Sequence, residues 1–376
     1  MRVTFPHLGN LWIPVRAFFS SLGLDVVVPP PTTKRTLSIG AKYTPEGACL
    51  PLKATVGNFI EAAELGADTI FMVGGIGPCR LGYYCELQRH ALSRAGSNAQ
   101  LVVVEPPRRD PRGLVQALRT VKRRATLRQV VEAGRLAWAK FGAVDALDQA
   151  ANMARWRETA PGEVDAAVHR GLALLDAAET CDAVLYAVEQ TLHDVACRTE
   201  ERLGPTMRVG VVGEIYVVME PAVNMDVCRK LGRLGVQVVQ PITFSHWIEE
   251  HIVGDIARRM PRSNMLSRAR PYLRHFVGGH GVESVGRSVD MARSGLAGVL
   301  HVAPMTCMPE IVAQSILPLV SQSEGIPVMS LAVDEHTADV GFDTRLEAFC
   351  DLLQARRRQA GEGSCPSVST GRWSML

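Results

Sequence analysis

Three cysteines occupy the same kind of position in the sequence, beside a strand-like segment or a proline and at the start of a helix-like segment. Cys79 follows the apolar run DTIFMV, Cys307 follows GVLHV, and Cys49 precedes the segment LPLKATVGNFIEAAELG. Helix N-termini present free backbone N–H groups and a partial positive charge, which favour a thiolate and suit an anionic ligand. Ligands of open α/β sheets bind where helices follow the carboxyl ends of strands. The three positions therefore predict one shared metal site.

The loop around Cys79, with the sequence GGIGPCRLGYY, is rich in glycine. Gly75, Gly77 and Gly82 would let the backbone come close to a bulky anionic group held by the thiolate. The sequence has neither the close cysteine pairs of zinc sites nor a ferredoxin-like run. Three widely spaced thiolates are instead consistent with an iron–sulfur cluster held between two lobes.

Four further residues are candidates for catalysis. Lys53 and Arg80 lie within one turn of two of these cysteines, where they could offset the charge of a cluster or bind an anionic substrate; solvated helix starts are the alternative. The segment FVGGHGVESVG places His280 and Glu283 in a glycine-rich turn before a helix. His280 is a candidate proton donor, and a turn capped by a glutamate is the alternative. Glu214 follows a strand and is either an acceptor in the cleft or an ordinary strand-end carboxylate.

The other cysteines are weaker candidates. Cys85 lies six residues after Cys79, so on a regular helix it would point to a different side. The remaining five are expected to be core or neutral residues of helices or, for the last, an exposed thiol: Cys181, Cys197, Cys228, Cys350 and Cys365.

Composition and charge limit the class of protein. Of the 376 residues, 47% are hydrophobic and 21% are charged, which is typical of a globular protein with a real core. The net charge of +3 is too small to indicate nucleic acid, and 6% aromatic residues are few for stacking on single strands. No apolar run reaches the roughly 18 residues of a membrane span. We expect a cytoplasmic protein with no nucleic-acid or membrane partner, whose nine cysteines do not form a disulfide framework.

Strand-like and helix-like segments alternate through residues 1–106 and again through 204–355, which is typical of α/β layers. Between them, residues 107–203 lose the strand signal and are rich in Ala, Leu, Arg and Gln, which predicts helices. Residues 356–376 are predicted to form a disordered tail. The sequence therefore predicts two α/β lobes on either side of a helical segment.

Five segments resemble one enzyme superfamily: EGACLPLKATVG, GGIGPCRLGYY, GEIYVVMEPAVNMDV, HVAPMTCMPE and VDEHTADVGFDTRLEAF. Together they resemble the 2-hydroxyacyl-CoA dehydratase and benzoyl-CoA reductase superfamily, and more closely its activase-associated branch, related to double-cubane cluster proteins. The resemblance extends over most of residues 1–350 and is weakest in the helical segment. It implies two Rossmann-like or flavodoxin-like lobes with parallel sheets. It also implies a 4Fe-4S or double-cubane cluster on three cysteines, which match Cys49, Cys79 and Cys307.

The resemblance also implies partners. Members work as dimers and receive an electron from a separate activase, a sugar-kinase-type ATPase with its own iron–sulfur cluster. ATP hydrolysis by the activase drives that electron to a very low potential, at which it serves radical dehydration or a difficult reduction. This chain has no Walker-type phosphate-binding motif, which argues against its being the ATPase itself. We expect a homodimer or pseudo-dimer.

Three functional hypotheses are consistent with these patterns. The first is an iron–sulfur redox protein, dehydratase-like or reductase-like, that acts on a small substrate, with CoA-linked substrates among the options. The second is a cluster-free α/β enzyme with a nucleophilic cysteine. The third is a non-catalytic protein that carries or assembles a cluster.

Overall fold

The protein folds into two parallel β-sheets of four strands each, covered by helices. A computed structural model describes residues 1–74, 79–105, 125–201, 206–249 and 264–361. Both sheets have the same arrangement, in which the first strand of the lobe lies between its second and third strands and the fourth lies at the edge. The predicted α/β fold with two lobes is confirmed. No helix among the described residues has the length and apolar character needed to cross a membrane.

The described part of the first lobe follows a strand–helix alternation. Its elements are β1 (Arg2–Thr4), α1 (Trp12–Ser21), β2 (Asp25–Val26), α2 (Lys34–Tyr43), α3 (Leu50–Glu64), β3 (Thr69–Val73), α4 (Tyr84–Arg94) and β4 (Gln100–Val104). The described helices of the middle segment are α5 (Leu127–Ala154), α6 (Glu163–Ala177) and α7 (Cys181–Cys197).

The second lobe repeats the alternation with more helices. Its described elements are β5 (Arg208–Gly213), α8 (Ile215–Met219), α9 (Val227–Arg233), β6 (Gln237–Val239), α10 (Phe244–Ile248), α11 (Asn264–Ala269), α12 (Gly281–Arg293), β7 (Gly298–Pro304), α13 (Met308–Glu324), β8 (Val328–Val333) and α14 (Asp339–Gly361). Helix α14 runs past the predicted boundary at residue 355, since its last turns are built from strong helix formers. The tail from residue 362 onward lies outside the described residues, and the other domain boundaries stay predictions.

The strands at the centre of each sheet are mostly apolar because helices cover both faces. In β7 every residue is buried, and in β3 all but the last are. Strand β7 pairs with β5 in parallel, with Val209 opposite Gly298 and Gly213 opposite Val302. The carboxyl ends of β3, β5 and β7 therefore lead into the loops that carry the candidate residues.

The first lobe contributes side chains directly to the core of the second. Leu37, Leu50 and Ala54 from α2 and α3 pack in one hydrophobic cluster with residues of β5 and α8. A buried polar contact also crosses between the lobes, since His7 Nδ1 lies 2.8 Å from Glu220 Oε2. The two sheets are thus held together by apolar packing as well as by polar contacts.

The middle helices contact both lobes. Leu11 and Ile13, at the start of α1, share a hydrophobic cluster with Val144 and Leu147 of α5. On the other side, Asp165 of α6 forms 2.8 Å ion pairs with Arg155 and with Arg229 of α9. The helical segment therefore braces the first lobe against the second.

Helices α2 and α3 cross so closely that neither crossing point has room for a side chain. A Cβ on Gly40 would lie 1.8 Å from the carbonyl oxygen of Lys53, and a Cβ on Gly57 would lie 2.0 Å from that of Thr36. Since α3 carries Cys49 at its start, this crossing sets the position of the first candidate thiol.

We expect Gly57→Ala to lower the free energy of unfolding by about 3 kcal/mol, because the added methyl group must push two backbones apart. The matched control is Gly134→Ala in α5, where nothing lies within 4 Å of the new Cβ. That control should gain up to about 1 kcal/mol from helix propensity. Denaturant titration of both variants measures the difference. Equal stabilities would show that the two helices are not packed as described.

Candidate functional site

All three candidate cysteines lie at the first position before a helix, as the sequence predicts. Cys49 caps α3 and Cys307 caps α13. Cys79 precedes a short 3-10 helix, Arg80–Tyr83, that leads directly into α4. Cys49 and Cys307 are buried and Cys79 is half-buried. Their placement at helix starts is confirmed, and their role as metal ligands stays a prediction.

Arg80 ties the loops of the three cysteines together. One guanidinium nitrogen donates to the carbonyl oxygen of Gly47 at 2.9 Å, and another donates to that of Thr306. Gly47 lies two residues before Cys49, and Thr306 directly precedes Cys307. Because Arg80 itself follows Cys79, a single side chain joins the three thiol-bearing segments across the two lobes.

Lys53 makes a second link between the same loop and the second lobe. Its ammonium group forms an ion pair with Glu335, in the turn after β8, and donates to the carbonyl oxygen of Glu46 at 3.0 Å. Lys53 is only 4% exposed, so the alternative of a solvated helix start is wrong for this residue. Both predicted cations therefore hold the loop before Cys49 against the second lobe.

The glycine-rich turn before α12 reaches the thiols from the second lobe. Gly279 has a φ of +46°, and a Cβ there would lie 3.8 Å from Cys79 Sγ and 3.2 Å from Pro309 Cγ. A Cβ on Gly281 would lie 2.4 Å from the carbonyl oxygen of Pro309. His280, between these glycines, is buried and caps α12, with its Nε2 3.9 Å from Glu283 Oε2. The structure thus brings the His280 turn to the thiols.

The turn that presents Cys307 has an uncommon backbone. Thr306 has a φ of +72°, a left-handed conformation that β-branched residues rarely adopt. The turn is held by hydrogen bonds from Met305 N to the carbonyl oxygen of Val333, at 2.8 Å, and from Cys307 N to that of Pro304, at 3.0 Å. Such a conformation costs on the order of 1–3 kcal/mol and persists only where the surroundings enforce it.

A buried polar network fixes the first turn of α13 behind Cys307. Glu310 Oε2 lies 2.8 Å from His301 Nε2 and accepts a 2.8 Å hydrogen bond from Ser284 Oγ. The other ring nitrogen of His301 lies 3.1 Å from Ser330 Oγ. Glu310 Oε1 is buried and has no hydrogen-bond partner among the described residues. The sequence does not single out Glu310, because a glutamate in a first helical turn has an ordinary pattern.

Burial raises the pKa of all three thiols, although they lie at helix starts. Desolvation is the largest cause for Cys49, Cys79 and Cys307. The backbone N–H groups of Leu81 and Glu310 lower the pKa of Cys79 and Cys307, but by less than burial raises it. The prediction that the helix starts favour thiolates is therefore wrong for the metal-free protein. The loss of hydrating water raises the thiol pKa more than the helix N-terminus lowers it.

The three thiols and one carboxyl group lie within electrostatic reach of each other. The charge of Cys49 raises the pKa of both Cys79 and Cys307, and the charge of Glu214 raises the pKa of all three thiols. Glu214 caps α8, with Val217 N donating to its Oε2 at 2.9 Å. Burial raises the pKa of Glu214 to about 7. A carboxyl group thus shares the site with the thiols.

Tyr84 belongs to the site although the sequence gives no sign of it. Its hydroxyl group is hydrogen-bonded to the thiol of Cys49. The ring is buried in the same hydrophobic cluster as Cys49 and Leu52. Burial raises the pKa of Tyr84 well above its ordinary value, which keeps the hydroxyl group protonated.

The remaining predicted glycines and cysteines differ in how close they lie to the three thiols. Gly82 lies in the 3-10 helix, and its N–H donates to the carbonyl oxygen of Cys79 at 3.3 Å. Gly75 and Gly77 lie outside the described residues. Cys85 is half-buried beside Glu86, and Cys181 and Cys197 are exposed. Among the residues that the structure describes, no three His, Cys, Asp or Glu side chains are placed to hold a single metal ion as they stand.

The comparison with protein families gives one match. Residues 9–74 match the family described as CoA enzyme activase uncharacterised domain (DUF2229). The matched segment runs from α1 to the end of β3, so it includes Cys49 and stops before Cys79. No curated protein matches the chain. The first lobe is therefore similar to a domain associated with CoA-enzyme activases, and this agrees coarsely with the superfamily that the sequence motifs resemble.

Proposed function

We propose that this protein is an iron–sulfur redox component in which Cys49, Cys79 and Cys307 hold a cluster, 4Fe-4S or double cubane, between the two lobes. The observation that carries the proposal is the Arg80 link, which joins the three thiol-bearing loops at one place. Thiolates are the usual protein ligands of iron–sulfur clusters.

The donor set is compatible with a cluster rather than a single ion. A cluster spreads its thiolate ligands over its own width, so the sulfurs need not converge on one atom. This is consistent with three thiols that interact electrostatically without forming a tight ion site. Binding must release the thiol protons, because only the thiolate is a ligand.

The residues around the thiols have separate tasks. The backbone N–H groups of Leu81 and Glu310 point toward sulfur atoms, and the guanidinium of Arg80 offsets negative charge. Glu214 holds a proton on its carboxyl group below about pH 7, which limits the negative charge of the site. Burial of Cys49 and Cys307 excludes water. A bound cluster would supply one-electron chemistry.

We further propose that the electron comes from an ATP-dependent activase of the sugar-kinase type, and that it serves radical dehydration or reduction of a small substrate. The match of residues 9–74 to an activase-associated domain supports this partner. Large hydrophobic side chains close in sequence to Cys79 and Cys307 are also exposed to solvent: Tyr83 is 74% exposed, Met305 55% and Met308 58%. Aromatic residues and methionine are enriched at protein interfaces, so this rim suits an activase or a second copy of the chain.

The first test is anaerobic reconstitution with iron and sulfide. We expect Cys49→Ser, Cys79→Ser and Cys307→Ser each to abolish stable loading, measured by iron and sulfide counts and by EPR after reduction. Cys181→Ser is the matched control, since Cys181 is exposed on α7, and it should load like the wild type. Loading that survives all three serine variants would refute the proposed site. A cluster that passes to an acceptor without any turnover alongside an activase would favour the carrier hypothesis.

The second test separates the cluster site from a nucleophilic cysteine. In reduced, metal-free protein at pH 7, we expect iodoacetamide to label Cys181 and Cys197 about a hundredfold faster than Cys49 and Cys307. A raised thiol pKa leaves little thiolate at neutral pH, so labelling of Cys307 should keep rising as the pH increases past 9. Peptide mapping by mass spectrometry gives the rates, with denatured protein as the control for intrinsic reactivity. Fast, selective labelling of Cys79 or Cys307 at pH 7 would support the nucleophile instead.

A further inference from the structure

A small cavity opens in the second lobe between α8, α10 and the first turns of α12. Its volume is about 10 Å³, which is room for about one water-sized atom or molecule. Ile215 and Trp247 form the apolar part of its walls. The polar part consists of His246, His280, Glu283 and Arg287.

Arg287 is the unusual member of this set. It is 5% exposed, and its one hydrogen bond among the described residues goes from Nη1 to the carbonyl oxygen of Pro241, at 3.2 Å. Its Nε is buried and has no acceptor in the part of the chain that the structure describes. A guanidinium carries five N–H donors and cannot lose its charge in a protein. A buried cation with so few partners is costly unless an anion compensates it.

The carboxylate of Glu283, which lines the same cavity, does not fill this role. Glu283 lies one helical turn before Arg287 and also lines the cavity, yet the two form no ion pair within 4.0 Å in the described structure. Glu283 is instead oriented toward His280, with 3.9 Å between Oε2 and Nε2. Among the residues that the structure describes, Arg287 therefore has no paired carboxylate, and its side chain lines the cavity.

We propose that this cavity binds the carboxylate group of a small molecule, with Arg287 as the anchor and His280 beside it. A guanidinium attracts a carboxylate strongly, and the cavity has room for one carboxylate oxygen, with the rest of the ligand outside its mouth. The turn that carries His280 also carries Gly279, which packs against Cys79 and Pro309. Because His280 directly follows Gly279, the ligand would lie beside the turn that contacts Cys79. This inference does not depend on the cluster.

The experiment titrates the metal-free full chain with 13C-labelled formate, with chloride keeping the ionic strength constant, and follows binding by NMR. We expect saturable binding by the wild type. Arg287→Met should weaken it at least about tenfold, and Arg287→Lys should weaken it less, because charge is kept and the fork is lost. The matched control is Arg293→Met on the same helix, an exposed arginine paired with Glu324, which should bind like the wild type.

A variant of Glu283 should change the affinity for formate in the opposite direction. Glu283→Gln removes the negative charge from the cavity wall, so it should tighten formate binding. Arg287→Met removes a buried, poorly compensated charge, so its unfolding temperature should not fall; if it does not fold, Arg287→Lys decides. Binding that does not saturate, or that is the same in the wild type and all three cavity variants, overturns the proposal. Phosphate binding more tightly than formate at the same ionic strength overturns the assignment to a carboxylate. Because no iron is present, failure of the cluster proposal leaves these results unaffected.

Discussion

The site depends on how the start of α3 is buried in the second lobe. Leu50 and Ala54 belong to the first lobe in sequence but pack in the core that β5 and α8 form. Cys49 directly precedes Leu50, so the contact that removes apolar surface from water also places the thiol. The polar links of Lys53 and Arg80 then fix the loops around it. Neither sheet alone could bring the three cysteines together.

Two opposing effects set the charge of the thiols. The helix starts of Cys79 and Cys307 offer N–H groups that favour thiolates, while burial removes the water that would solvate them. In the metal-free protein burial is the larger effect, so the thiols stay protonated, and the carboxyl group of Glu214 is pushed the same way. A positively charged group that displaces these protons would compensate the buried negative charge of the thiolates. The N–H groups at the helix starts would then stabilise the sulfur atoms. The raised pKa values of the three thiols therefore argue against a cysteine activated as a nucleophile at neutral pH.

The sequence predicts the local features of this molecule well. A strand followed by glycine or proline and then a helix-like run predicts the positions of Cys79 and Cys307 at helix starts. Features that depend on distant segments were not predictable. The pair of Lys53 with Glu335 joins residues 282 positions apart. Arg287 has the pattern of an ordinary helix charge, and only its burial distinguishes it.

The turn at residues 278–281 connects Cys79 to the cavity beside Arg287 through the backbone. Gly279 and Gly281 both lie against Pro309, in the first turn of α13, with no space for a Cβ on Gly281. The position of His280 is therefore set by backbone packing against α13, the helix that begins after Cys307. A group held at the thiols and a carboxylate held at Arg287 would be kept at a fixed separation by this packing. A fixed separation matters wherever two bound groups react with each other, because misplacement of the reacting groups by even 1 Å can be costly.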